Sequence, residues 1–138
     1  VRYDPYSSLE ELEGVSWGEP TYDSYVVTTS HALRKKPLNR LTDEELRLGL
    51  SQQIGLDFLT LLAIERLSEN PLRSGDFYPG DMLVALMRIS PDAWANKADL
   101  HRTTTGLAKT VLEIMENTPE LEDAYLRKAC ETFLASGH

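Results

Sequence analysis

The sequence is poor in the residues that build chemical sites. Cysteine occurs once, as Cys130, and histidine three times, as His31, His101 and His138. A single thiol excludes an intramolecular disulfide and fits a reducing compartment. The histidines are too far apart to pair at helical or finger spacing, so no metal is expected. His138 is terminal, as a tag remnant would be. Glycines at 14, 18, 49, 55, 75, 80 and 106 match neither G-x-G-x-x-G nor the P-loop, which removes the usual phosphate cradles. No apolar run approaches the roughly 20 residues of a membrane helix. No basic start followed by an apolar stretch marks a signal peptide, and the expected location is the cytoplasm. Basic side chains are also scarce, 14 against 22 acidic ones, for a formal net charge of −8. Such a chain repels nucleic acid backbones and anionic lipid, and a basic protein would be drawn to it.

What is present is helical periodicity. The chain has 138 residues, 41% of them hydrophobic, enough for one packed core. It shows no internal repeat and no low-complexity segment. Residues 1–22 read as one short helical turn, Leu9–Glu13, followed by loop. Ser8 and Glu11 stand at capping-box spacing, and Gly14, Gly18 and Pro20 break regular structure. Asp23 is placed to cap a helix reaching to about Lys36, with Val26, Val27, Ala32 and Leu33 as its apolar face, and Pro37 stops it. Thr42 and Glu45 form a second capping box, with Leu41 and Leu46 at staple positions. Leu46, Leu50 and Ile54 continue one stripe, and Gly55 lies where a left-handed C-cap belongs.

From Leu56 to Glu69 apolar residues cover most of the circumference, which marks this helix as the central one. Pro79-Gly80-Asp81 opens a helix from Met82 to about Ile89. Ser90-Pro91 opens another, and a longer one runs from about Asp99 to Asn117. The Thr103–Thr105 run and Gly106 weaken the first half of that longer helix. Thr118-Pro119 starts the last, whose core face is Leu126, Ala129, Cys130 and Phe133. No segment alternates with period two. The expected fold is an all-α, single-domain bundle of about six helices over residues 1–138, built around Leu56–Glu69.

No catalytic residue emerges. Ser30 and His31 are adjacent, but on a helix their side chains diverge by about 100°. Cys130 lies on an apolar face, where a buried thiol is inert. Glu44–Arg47, Lys109–Glu113 and Asp123–Arg127 read as ordinary surface helix pairs. Acids gather at Glu10, Glu11, Glu13, Glu19 and Asp23, and again at Glu113, Glu116, Glu120, Glu122 and Asp123, either as a binding face or as solvated ends. Arg34, Lys35, Lys36 and Arg40 make a basic patch at a helix C-terminus, where cations complement the dipole. The loop aromatics Trp17, Tyr22, Phe77 and Tyr78 can anchor a partner or fold back over a small core. Carboxylates and aromatics in or beside loops single out Trp17, Glu19, Tyr22, Asp23, Tyr78 and Asp81 as candidate partner-binding residues. For Asp81 and Tyr78, helix capping and packing are the competing roles.

Five short segments, in order and at their spacing, carry a resemblance. They are Leu9-Glu10-Glu11-Leu12-Glu13-Gly14, Trp17-Gly18-Glu19-Pro20, His31-Ala32-Leu33-Arg34-Lys35-Lys36-Pro37-Leu38, Ile54-Gly55-Leu56 and Tyr78-Pro79-Gly80-Asp81. Between Ser8 and about Pro91 the sequence resembles the immunity proteins of bacterial contact-dependent growth inhibition systems. The last third, from about Ala93, carries no matching pattern. The resemblance implies a non-catalytic cytoplasmic protein, without cofactor, that binds and neutralises the toxic C-terminal domain of a cognate secreted effector, often a nuclease. It identifies neither the toxin nor the contact residues. The competing functions are a generic helical adaptor or regulatory subunit and, more distantly, a small hydrolase.

Overall fold

The helices begin where short polar side chains can take up free amides. In the computed structural model, which describes residues 3–21 and 23–136, the Ser8 hydroxyl accepts from the Glu11 amide at 3.2 Å and the Glu11 carboxylate accepts from the Ser8 amide at 2.9 Å. That reciprocal box opens α1, Leu9–Glu13, which Gly14 closes in the left-handed conformation. The same device at Thr42 and Glu45 opens α3, Asp43–Ser51. Ser90, through its hydroxyl and the following Pro91, opens α6, Pro91–Trp94. Between and after these lie α2, Tyr25–Leu33; α4, Leu56–Glu69; α5, Asp81–Met87; α7, Ala98–Asn117; and α8, Ala124–Ser136. Two 3-10 turns, Leu38–Arg40 and Pro119–Leu121, complete an all-α fold with no strand among the described residues. Six of the eight α-helices have seven residues or more, matching the expected architecture.

Several boundaries differ from the sequence reading, each for a local reason. Ser24, not Asp23, caps α2, its hydroxyl accepting from the Val27 amide. The helix ends at Leu33, short of Lys36, and turns Ser30, Leu33 and Arg34 inward while Val26 and Ala32 face solvent. Gly55 is left-handed as expected (φ 52°), but it opens α4 and does not close α3. A Cβ on Gly55 would lie 2.6 Å from a Leu9 methyl, so both its backbone and its packing call for glycine. The left-handed residue that ends α3 is Gln53 (φ 56°). The amides of Gln53 and Ile54 turn back to the carbonyls of Leu50 and Gly49, a Schellman closure. Glutamine tolerates the conformation here because its side-chain oxygen accepts the Ser90 amide at 2.8 Å and ties the end of α3 to the start of α6. Thr118-Pro119 begins only a 3-10 turn. Helix α8 starts later, capped by the Asp123 carboxylate on the Leu126 amide.

The central helix is α5, not α4. All seven residues of α5 are buried, and α3, α4, α7 and α8 pack against it. Helix α4 keeps an outer side, with Asp57 and Glu65 exposed and Phe58, Leu61 and Ile64 only half-buried. Length misled the reading: a seven-residue segment carries little periodicity, yet Met82–Met87 is apolar without interruption. At its start Gly80 (φ 91°) would place a Cβ 2.8 Å from a Leu126 methyl, so α8 closes directly on this turn.

Helix α7 runs unbroken through the threonines that were expected to weaken it. The Thr103 and Thr104 hydroxyls donate to the carbonyls of Asp99 and Leu100, and Gly106 sits on the exposed side. Leu126, Cys130 and Phe133 bury as the core face of α8, and burial pushes the Cys130 thiol up to about 11, leaving it protonated near neutrality.

Leu83→Ala is expected to cost about 2–5 kcal/mol, since no side of α5 can collapse into solvent. Thr42→Ala is expected to cost about 1 kcal/mol through loss of the cap. Urea unfolding midpoints check both, and a Leu83→Ala loss below about 0.5 kcal/mol would put α5 at the surface.

Candidate partner-binding site

Five of the six candidate residues fall into two places; Tyr22 lies outside the described residues. Trp17, Glu19 and Asp23 lie on the segment before α2, with Trp17 and Glu19 against the far end of that helix. The basic patch holds that segment down. Arg34 is buried, with its guanidinium donating to the Glu13 carboxylate and to the Val15 carbonyl, and it stacks 4.5 Å from the Trp17 ring centroid. His31 meets Trp17 edge-on and contacts the Gly18 carbonyl through Nδ1. Arg34, the C-cap residue of α2, thus also fastens the clasp. Trp17 is folded back yet remains 43% exposed. Glu19 stands out in solvent, its side chain 91% exposed and only loosely paired with Lys35 at 3.5 Å. Asp23 is also exposed.

The second place is the loop before α5. Here two carboxylates replace regular structure as partners for backbone amides. Asp81, only 3% exposed, accepts from the Gly75 amide at 2.6 Å through one oxygen. Its other oxygen accepts from Phe77 at 3.0 Å and Tyr78 at 3.4 Å. Glu44 accepts the Asp76 amide at 3.0 Å and both Nε and Nη2 of Arg47, at 2.7 and 2.6 Å. The pair Glu44–Arg47 is therefore not an ordinary surface pair: both side chains are nearly buried, and the pair fastens the loop to α3. Hydrogen bonds from Arg47 hold the Glu44 carboxyl below the usual carboxylate range despite its burial. Asp43, one residue earlier, accepts from Arg66 at 3.0 Å and Arg73 at 2.8 Å, fixing the near end of the loop. Asp81 faces inward as the organiser of this loop, and Tyr78 packs edge-on against Tyr125. Burial, with Tyr125 adjacent, raises the Tyr78 hydroxyl to about 12.

A loop held this way presents its remaining side chains rigidly. Phe77 is 68% exposed, with the Arg47 guanidinium 4.4 Å from its ring centroid. Tyr25, also exposed, lines an open groove with Glu44, its hydroxyl 3.5 Å from that carboxylate. Asp76 and Glu45 line the same groove. Tyr25, Glu44, Arg47 and Phe77 are absent from the sequence-based selection. Phe77 was visible there as a loop aromatic. Tyr25 looked like a helix residue, and the Glu44–Arg47 spacing is common to most charged helices. Nothing in one dimension marks two carboxylates as loop anchors when the loop lies some thirty residues downstream of one of them. The expected Asp123–Arg127 pair also rearranges: Arg127 bonds Glu122 and Glu116, while Asp123 serves as the α8 cap.

Among the described residues, no group of three or more potential ligands could hold a metal ion, and no helix is long and apolar enough to cross a membrane.

Glu44→Gln is expected to destabilise by about 1.5–3 kcal/mol near neutrality, the worth of hydrogen bonds to a charged group. Because the folded-state pKa of Glu44 is depressed, its contribution is present above the unfolded value and disappears as pH falls through the folded one. The stability difference between wild type and Glu44→Gln should therefore narrow as pH drops from about 5 towards 3. Denaturation midpoints across that range measure it, and a constant difference would deny the pair its role.

With this geometry in hand, comparison with known proteins gives one match. A family model described as CDI immunity proteins covers residues 11–103. No curated protein and no solved structure matches the chain.

Proposed function

The chain belongs to the CDI immunity proteins, the immunity family of contact-dependent growth inhibition systems, and from that premise we propose that it binds and neutralises the toxic C-terminal domain of its cognate effector in the cytoplasm of the producing cell. The family match carries the reading. Charge supports it: at −8 the protein is suited to a cationic partner, and the toxin is a basic domain, a nuclease that grips phosphates. The protein contributes no chemistry of its own and acts by occupying the toxin surface.

Two kinds of contact divide the work. Glu19 and Asp23, solvated and projecting, supply attraction at a distance and raise the association rate. Trp17, Tyr22 and Tyr78, with Phe77 and Tyr25 beside the rigid loop, supply the apolar area that slows dissociation. Asp81 acts indirectly, by holding Phe77 and Tyr78 in place.

The test is purification with the C-terminal domain of the cognate effector, to be sought as a large secreted protein encoded beside this chain. A stable complex that abolishes the toxin's nuclease activity is expected. The association rate should fall as salt shortens the Debye length below about 10 Å, and Glu19→Ala and Asp23→Ala should each slow association. Tyr22→Ala and Phe77→Ala should instead speed dissociation, by on the order of 30-fold for a true anchor. Absence of a complex would overturn the function. A complex indifferent to salt and to all four substitutions would overturn the contact assignment.

A further inference from the structure

In this acidic protein most cations are matched. Among the described residues nine lysines and arginines lie within 4.0 Å of a carboxylate. Arg40, Arg88, Lys109 and Lys128 are not among them, and of these four Arg88 and Lys128 flank one groove between α5 and α8. Its floor is apolar, formed by Met87, Ala129 and Phe133, and no acidic side chain lines it. Tyr125, 50% exposed, forms its rim with the Arg88 guanidinium 5.2 Å from the ring centroid. Through the edge-on contact of Tyr125 with Tyr78, the rim continues into the loop that Asp81 holds rigid. Arginine and tyrosine around an apolar floor are the composition of an interface centre, and Lys128 stands at the groove's edge as part of a polar rim.

We propose that the groove between α5 and α8 is the contact by which this protein selects its toxin, and that it takes an apolar side chain flanked by a carboxylate on the toxin surface. The inference rests on the toxin-binding function proposed above and names where its specificity resides. Charge complementarity identifies the occupant. Two unmatched cations call for an anion, the apolar floor calls for a hydrocarbon group beside it, and the overall charge of −8 repels a polyanion such as nucleic acid. A single carboxylate on an otherwise basic domain meets all three conditions. Position in the chain supports a selective role. The family match ends at residue 103, inside α7, so the α5 wall belongs to the shared segment and the α8 wall to the part outside it. A scaffold common to many immunity proteins with one wall of its own can reject other toxins by mismatch at that wall.

The experiment measures binding of the full chain to the C-terminal domain of its cognate effector, identified by the co-purification described above, by biolayer interferometry. Arg88→Glu with Lys128→Glu should weaken the complex by about 30-fold, chiefly through faster dissociation, and Tyr125→Ala by about tenfold. Arg88→Lys should retain most of the affinity. All three side chains are exposed, so circular dichroism and melting temperature should match the wild type. Affinities within twofold of the wild type for both the double reversal and Tyr125→Ala, with wild-type binding intact, would overturn the groove alone. Failure of the wild type to bind would overturn the toxin-binding function and this inference with it.

Discussion

The structure depends on one constraint: α5 has no side that tolerates water. Seven consecutive residues, Asp81 to Met87, must be enclosed, and a helix so short cannot contribute much stability through its own hydrogen bonds. The other helices are therefore arranged as a casing. Helices α3 and α4 cover it on two sides, α7 and α8 on the others. The one charged residue in α5 is at its start, and burying Asp81 without a partner would cost several kcal/mol. The preceding loop resolves this by turning three amides onto the carboxylate. The loop conformation thus follows from the burial of α5.

The same logic accounts for how charge is distributed. Glu44, Asp43 and Glu45 sit at the start of α3, where acids suit the helix dipole, and each is also matched by a cation: Glu44 by Arg47 of the same helix, Asp43 by Arg66 and Arg73, and Glu45 by Lys36. Arg34 and Arg127 act similarly at the N-terminal clasp and at the junction of α7 and α8. Most of the basic residues are consumed in fastening loops to helices. The excess acid is left outside, on side chains such as Glu19, Asp23 and Asp76, which face solvent. A rigid interior and an acidic exterior arise from one allocation of charges, and both suit the proposed role of presenting a fixed surface to a cationic partner.

Membership of the CDI immunity proteins covers α1 to the first part of α7, which includes α5 and both anchoring carboxylates. The enclosure of α5 and the anchoring of its loop both fall within that span, whereas α8 lies outside it.

The sequence by itself determined three helix starts, the class and the family. Capping boxes at Ser8 and Thr42 and the Ser90-Pro91 start involve residues three apart or fewer, so their chemistry is complete within the segment. The resemblance from Leu9 to Asp81 likewise lies within the segment that the family match covers or borders. Tertiary structure alone decided which helix is central, because enclosure depends on what packs around a segment and not on its own length. It also decided that Gln53 takes the left-handed turn, since the compensating bond comes from Ser90, 37 residues away. It assigned Asp81 inward and Phe77 outward, because a carboxylate beside a loop binds amides or faces solvent according to how the backbone closes around it. The groove between α5 and α8 exists only once those helices meet: Arg88 and Lys128 are forty residues apart in sequence, and no local pattern records that they share a surface with no carboxylate between them.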